Sequence, residues 1–192
     1  MKNYKISKED YKVSKWSGGE TREVFIYPAE SSLEERNFQV RISSATVEVE
    51  ESEFSAFNGY DRILMVLKGI VKLEHTSPVS KRTVELSSLM QDSFSGSIKT
   101  KSYGKCTDYN VISKEGLASE LRTVVNGQVI IEEDRIYHFF AIKPISLRLQ
   151  INEEASEVEL EQEESYVIKE SIGKVFINSR DNEISCLVSL VK

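Results

Sequence analysis

Hydrophobic and polar residues alternate along much of this chain, whereas sustained helical periodicity is scarce. In residues 145–151, isoleucine and leucine alternate with serine, arginine and glutamine, and shorter runs at 71–74 and 157–161 repeat the pattern. Such alternation buries one face of a strand and leaves the other face in water. Turn residues separate the runs at intervals of strand length. The pattern predicts an all-β protein, built as sandwiches or barrels.

Turn residues also predict how the strands connect. Asn126-Gly127 lies between two apolar runs, residues 122–125 and 129–131, and this arrangement predicts a two-residue hairpin. Residues 93–109 carry glycine, serine and tyrosine without clear alternation, which is typical of a long irregular connection. The acidic run 153–164 is expected to form a solvated face on or near an edge strand.

A waist at residues 112–119 divides the chain, because regular alternation resumes after it. We therefore expect two β halves, residues 1–112 and 113–192. Sequence similarity between the two halves is too weak to define a repeat.

Composition indicates which binding partners and which cellular compartment to expect. The 192 residues include 25 Lys and Arg against 31 Asp and Glu, a net charge of −6 without a basic cluster, so we expect no nucleic-acid partner. No apolar run approaches the roughly 18 residues that span a bilayer, so we expect no membrane association. The first residues lack the apolar core of a secretory signal. Cys106 and Cys186 are expected to be buried, reduced thiols, and we expect a cytoplasmic location.

Metal and nucleophilic chemistry find little support in the sequence. His75 and His138 are the two histidines, and neither has a second ligand two residues away on the same strand face, so we expect no metal and no cofactor. His138, in an apolar run, is expected in a core or an interface. No nucleophile elbow or phosphate loop occurs. Asp61 and Asp108 are candidate paired carboxylates, although each also suits a turn, and catalytic residues stay unassigned.

The segment Trp16-Ser17-Gly18-Gly19 combines an aromatic ring with a permissive turn. Trp16 and the hydroxyl of Thr21 are suited to one wall of a small-molecule site. The alternative interpretation is a plug, in which Trp16 closes the end of a core.

Polar residues inside strand-like segments are the other candidates. Arg41 and Ser43 share one face of a predicted strand, and Asp61-Arg62 directly precedes the apolar run 63–67. An arginine at the mouth of a barrel binds a carboxylate through two parallel hydrogen bonds. On the alternative interpretation these side chains lie on the wet face or join structural networks.

Five motifs occur in an order that resembles the HutD/Ves family, and they cover roughly the first 112 residues. The motifs are Trp16-Ser17-Gly18-Gly19-Glu20-Thr21-Arg22-Glu23, Arg41-Ile42-Ser43-Ser44-Ala45, Phe54-Ser55-Ala56-Phe57-Asn58-Gly59-Tyr60-Asp61-Arg62, Phe94-Ser95-Gly96 and Asp108-Tyr109-Asn110-Val111. The last 80 residues match mainly in length and β character.

The resemblance implies a bicupin fold, with two stacked antiparallel barrels or sandwiches in one chain, and a link to histidine utilisation. It also implies a pocket in the first barrel that takes small carboxylates, such as formylated glutamate or formate, without the histidine-rich metal motif of enzymatic cupins. Two positions depart from the family pattern: Ser17 replaces a common asparagine and Asn58 a common proline. The first departure bears on the ligand more than on the fold.

Three functions follow as hypotheses. In the leading one, a metal-free cupin binds a small anionic metabolite and modulates amino-acid breakdown. Arg41 and Arg62 hold the carboxylate. Trp16 forms an apolar wall, and Asp61 orients an arginine. Thr21 and Ser43 complete the site. The second is a metal-independent isomerase or hydrolase acting on a small acid, with the acid or base among Asp61, Asp108 and Tyr109. The third is an interaction module that forms a homodimer.

Overall fold

The computed structural model describes residues 2–181 and 183–192, and within them the chain is built from β-strands and one short 3-10 helix, Lys8–Asp10. The strands are β1 (Asn3–Ile6), β2 (Lys12–Trp16), β3 (Gly19–Tyr27), β4 (Val40–Val47), β5 (Glu51–Glu53), β6 (Tyr60–Thr76), β7 (Lys81–Ser87), β8 (Gln91–Ser95), β9 (Lys99–Tyr103), β10 (Cys106–Lys114), β11 (Ser119–Val124), β12 (Gly127–Ile131), β13 (Ile136–Ala141), β14 (Ile145–Ile151), β15 (Glu154–Leu160), β16 (Ser165–Ile168), β17 (Gly173–Ser179) and β18 (Cys186–Val191). The all-β prediction is confirmed.

The chain forms two compact units. One is Tyr11–Gly116, and the other combines Leu117–Lys192 with residues 2–10. The first residues join the C-terminal unit because β1 pairs with β16, with Tyr4 opposite Val167. The predicted division after residue 112 falls inside β10, which continues to Lys114.

The N-terminal unit is a sheet of nine strands. Seven of them follow the order β2-β3-β4-β10-β6-β9-β5, and β7 and β8 complete the nine by pairing with β6. Its pairings are antiparallel. The long strand β6 carries much of the unit, because β8 and β10 pair with its first half and β7 and β9 with its second. Strands β3, β4, β10 and β6 are therefore consecutive neighbours, and their shared face carries the site described below.

The C-terminal unit has two sheets, β1-β16-β13-β18-β11 and β12-β17-β14-β15. Alternate residues of the facing strands, such as Phe139, Leu147 and Val175, are fully buried in one hydrophobic cluster. Strand β15, which carries most of the acidic run, is an edge strand with mostly exposed residues, as its like charges predict. Glu164 is an exception, because it is buried and lies 2.5 Å from Nζ of Lys5.

The predicted hairpin at Asn126-Gly127 is wrong. Strand β11 pairs with β18 and β12 with β17, so the chain crosses between two sheets at this point. A two-residue hairpin turn of the favoured type needs positive φ at both central residues, and neither residue has it. Instead, Oδ1 of Asn126 accepts a hydrogen bond from the backbone of Ser179 at 2.6 Å.

The predicted irregular connection at residues 93–109 is also wrong, because β8, β9 and β10 occupy most of it. Alternation is hidden there because the inward positions are themselves polar, as at Thr100 and Ser102, which are buried. The prediction for the thiols is confirmed, since Cys106 and Cys186 are both free and buried. In the described part of the chain, no helix has the length and apolar character needed to cross a membrane.

Candidate ligand-binding site

A cavity of about 340 Å³ lies within the N-terminal unit, on the shared face of β3, β4, β10 and β6. The strand register explains its composition. Arg41 on β4 and Arg62 on β6 both pair with Ile112 on the intervening β10, and the next row places Ser43 beside Asn110. With neighbouring strands about 4.8 Å apart, the Cα atoms of the two arginines are about 10 Å apart. Two guanidinium groups thus reach one cavity from separate strands.

Trp16 forms part of the cavity rim, and the paired glycines make its position possible. A Cβ atom on Gly18 would lie 2.0 Å from Cζ3 of the Trp16 ring. Gly19 has a φ of +148°, and a Cβ there would lie 1.9 Å from the carbonyl oxygen of Thr46. The Trp16 side chain lines the cavity and remains 41% exposed, so it does not form a core plug. Ser17 is exposed and outside the lining.

Arg41 is already engaged by protein groups. Its Nε donates to Oε2 of Glu23 at 2.6 Å, and its Nη1 donates to Oγ of Ser43 at 3.2 Å. Both members of the ion pair are largely buried, with 7% and 15% of their side chains exposed. The charge of Arg41 is therefore balanced before any ligand arrives, and Ser43 serves as an acceptor for it.

Arg62 has a very different environment. It is 6% exposed, and its Nε atom is buried with no hydrogen-bond partner in residues 2–181 and 183–192. Cζ lies 4.8 Å from the ring centre of Phe54 and 5.3 Å from that of Phe94. Phe57 adds a third ring at 5.6 Å. Aromatic faces stabilise a cation but offer its N–H groups no strong acceptor.

Burial is the main cause that lowers the pKa of Arg62 to about 10; the charge of Asp108 opposes this shift and the charge of Arg41 adds to it. Arg62 consequently stays charged at neutral pH. A buried guanidinium with an unsatisfied N–H is costly to a fold. An anion in the cavity would supply the missing acceptor.

Two polar residues of β10 complete the wall. Asp108 and Asn110 are 5% and 7% exposed and line the cavity together, because they are two residues apart on one strand. Burial raises the pKa of Asp108 to about 7, although Arg62 and a hydrogen bond from the backbone of Ala45 favour its charged form. Oδ1 of Asn110 is buried and has no partner among the residues the structure describes.

The cavity brings together five of the six residues that the sequence analysis proposed: Trp16, Thr21, Arg41, Ser43 and Arg62. Asp61 is not part of the lining, because it precedes Arg62 on β6 and so faces the other side of the sheet. Asp108, not Asp61, is the carboxyl group whose charge acts on Arg62. Tyr109 is fully buried and lies outside the lining for the same reason as Asp61.

Glu23, Asn110 and the phenylalanines around Arg62 were not proposed as functional residues. A signal for Asn110 was present, since Asp108 and Asn110 alternate with buried apolar residues in a strand that is buried throughout most of its length. No comparable signal identifies Glu23, because its role depends on the pairing of β3 with β4, where it lies opposite Ser43.

The lining residues do not fit a metal ion. The cavity wall contains no histidine or cysteine. Across residues 2–181 and 183–192, no group of three or more His, Cys, Asp and Glu side chains could hold one. His75 and His138 are both buried elsewhere, and Nδ1 of His75 lies 2.9 Å from Oγ1 of Thr100.

Comparison with solved structures assigns the fold to the cupin class. An oxalate decarboxylase variant from Bacillus subtilis superposes with a TM-score of 0.71 at 7% identity, covering 98% of this chain and 76% of that one. A conserved protein of unknown function from Pseudomonas aeruginosa PAO1 gives 0.78 at 20% identity, with 100% and 98% covered. HutD from Pseudomonas fluorescens SBW25, solved in a formate condition, gives 0.74 at 19% identity, with 99% and 98% covered.

The fold is therefore a bicupin-like arrangement of two β units in one chain. The HutD family model matches residues 8–184. This chain belongs to the HutD family, a group of cupin-type proteins linked to histidine utilisation. A search of curated proteins finds no match to it.

Proposed function

We propose that the cavity of the N-terminal unit binds a small carboxylate metabolite through Arg62, and that this metal-free cupin modulates histidine utilisation by doing so. The observation that carries the proposal is the buried guanidinium of Arg62, whose Nε has no partner in the described chain and which faces a cavity of about 340 Å³. A volume at the lower end of the range for ligand pockets suits a small molecule.

The charge balance supports an anion. Arg41 and Glu23 neutralise each other at 2.6 Å, so Arg62 is the cation whose charge is left for a ligand. Asp108, with its pKa near 7, offsets that charge only in part at neutral pH. A carboxylate group would offset this charge and would accept hydrogen bonds from the guanidinium. Formylated glutamate and formate are the candidates, and the formate condition of the P. fluorescens structure is consistent with them.

Calorimetric titration with formate, acetate, glycolate and N-formylglutamate tests the proposal. Arg62→Met keeps the length and burial of the side chain but removes its charge and its donors. We expect it to weaken binding about 100-fold, because charge-assisted hydrogen bonds contribute about 1.5–3 kcal/mol each. Arg122→Met, which removes an exposed arginine of β11, should bind as the wild type does. The proposal fails if no carboxylate binds the wild type, or if Arg62→Met binds equally well.

The second candidate function is a metal-independent enzyme acting on a small acid, and one observation favours it. Asp108 lines the same cavity with a pKa raised to about 7, and a general acid or base is most effective when its pKa lies near the working pH. Turnover of formylated amino acids that is lost in Asp108→Asn, with binding retained, would favour catalysis. Binding without turnover would favour a sensor, which must hold its ligand more tightly in one of two states.

A further inference from the structure

The cavity wall that carries Arg62 also contains an unused hydrogen-bond acceptor one register row away, on the neighbouring strand β10. Oδ1 of Asn110 is buried and has no partner in the described chain. It lies on β10 between Ser43 of β4 and Leu64 of β6, its register neighbours. Leaving such an acceptor unpaired disfavours the folded state, so a ligand that donates to it gains that free energy on binding.

None of the nearby donors satisfies this oxygen. The hydroxyl of Ser43 lies against Nη1 of Arg41 at 3.2 Å, and Arg41 in turn is held by Glu23. Arg62 lies among aromatic rings. Asn110 is therefore not part of the ion-pair network beside it, although it shares the cavity with that network.

Asp108 adds a second acceptor on the same strand face, two residues from Asn110. The same sheet face thus presents a cation and, on the adjacent strand, two oxygen acceptors. From this arrangement we infer that the ligand is a carboxylate that also carries a neutral N–H or O–H donor, and that Asn110 selects for that donor. The inference rests on the proposed carboxylate site and specifies which carboxylates it takes.

The charges around the site favour a neutral donor over an ammonium group. Arg41 and Arg62 both line the cavity, and Asp108 is only partly ionised near pH 7. A ligand ammonium would lie near the uncompensated guanidinium of Arg62, which disfavours free amino acids. Hydroxy acids and N-acyl amino acids meet the requirement. Of the two metabolites named above, formylated glutamate has such an N–H, whereas formate does not.

Matched ligand pairs test the inference by calorimetry on the full chain. Glycolate differs from acetate by one hydroxyl group, and N-formylglycine differs from N-formylsarcosine by an N–H in place of N-methyl. We expect wild-type protein to bind the donor-bearing member of each pair about tenfold more tightly, because a site that offers an acceptor discriminates against analogues without the donor. Glycine, with its ammonium group, should bind more weakly than glycolate.

Asn110→Leu should abolish the discrimination, measured within the variant as the ratio of its affinities for glycolate and acetate. Asn178→Leu, the same substitution at an exposed position of β17, should leave the discrimination intact. If acetate binds but glycolate is no better in the wild type, the inference is overturned and the carboxylate site stands. If neither binds, the carboxylate proposal fails and the inference with it. The wild-type comparison decides the question even if Asn110→Leu does not fold.

Discussion

The interiors of the two units differ in polarity. The C-terminal unit has a continuous hydrophobic cluster in which inward positions of β13, β14, β17 and β18 are apolar. The N-terminal unit has separate apolar clusters, and a cavity with charged walls borders two of them. Val47 belongs to one of these clusters and Phe57 to the other, and both line the cavity.

Buried charge shows the same contrast. In the N-terminal unit, Arg41, Arg62 and Asp108 are all buried at the cavity. In the C-terminal unit, the buried charged residue Glu164 is paired with Lys5, and its Oε2 accepts a hydrogen bond from the backbone N–H of Glu161. Three buried charged residues thus collect at the N-terminal cavity, and such departures from the usual rules of burial concentrate at functional sites. The difference supports the proposal that the ligand site lies in the N-terminal unit.

The largest expected effect is a loss of stability, caused by placing a polar residue at an apolar inward position of the C-terminal unit. Leu147→Asn places an amide in the hydrophobic cluster of the C-terminal unit, where Leu147 is fully buried. We expect it to lower the free energy of unfolding by about 4 kcal/mol, because it loses apolar burial and leaves a polar group unpaired. Urea unfolding followed by circular dichroism measures the change.

The reciprocal change, Asn110→Leu, should alter stability by less than about 1 kcal/mol, because it removes an acceptor that has no partner in the described chain. Similar losses in the two variants would contradict the contrast between the units. Such a result would mean that Asn110 contributes to folding and not to ligand selection.

Asp108 should make the stability of the N-terminal unit depend on pH. Folding raises its pKa from 3.8 to about 7, so the folded state binds this proton more tightly than the unfolded chain does. The resulting stabilisation is complete below about pH 4 and is lost as the pH rises through about 7. Relative to Asp108→Asn, the wild type should therefore lose a few kcal/mol between pH 4 and pH 7.5.

Urea unfolding at several pH values measures this difference. Trp16 is the single tryptophan of the chain and lies in the N-terminal unit, so its fluorescence reports the relevant transition. Other carboxylates titrate equally in both proteins, so the difference between them isolates Asp108. If the two curves run parallel across this range, burial does not raise the pKa of Asp108, and its proposed part in charge balance is wrong.

The strands of the C-terminal unit are predictable from sequence where one face is apolar and the other polar. Alternation in residues 145–151 marks β14 because its inward residues are all hydrophobic. The same reasoning fails at residues 99–103, where Thr100 and Ser102 are buried and polar, so β9 has no alternation to read. Pairing is less predictable than strand position, since Asn126-Gly127 joins two sheets instead of two neighbouring strands.

Some of the cavity residues were predictable from the sequence, but their roles were not. The period of two places Arg41 and Ser43 on one face and separates Asp61 from Arg62, so strand geometry alone argues against Asp61 as a lining residue. The sequence did not predict that Arg41 would be paired with a carboxylate and Arg62, among the described residues, would not. That difference depends on Glu23 lying beside Arg41 across the β3–β4 pairing, and no local pattern encodes that contact.

The smallest effect tests whether the charge of the N-terminal interior is tuned for binding. Glu23→Gln removes the carboxylate 2.6 Å from Arg41 and leaves a second uncompensated guanidinium at the cavity. We expect glycolate to bind about fivefold more tightly, equivalent to about 1 kcal/mol, with an advantage that shrinks in high salt. Glu20→Gln is the matched control, because Glu20 lies on the same strand, pairs with Arg22 at 3.1 Å and is outside the lining. Equal or weaker binding in Glu23→Gln would show that the carboxylate holds Arg41 in a productive position, and Arg41 would then be a direct ligand contact whose geometry matters more than its net charge.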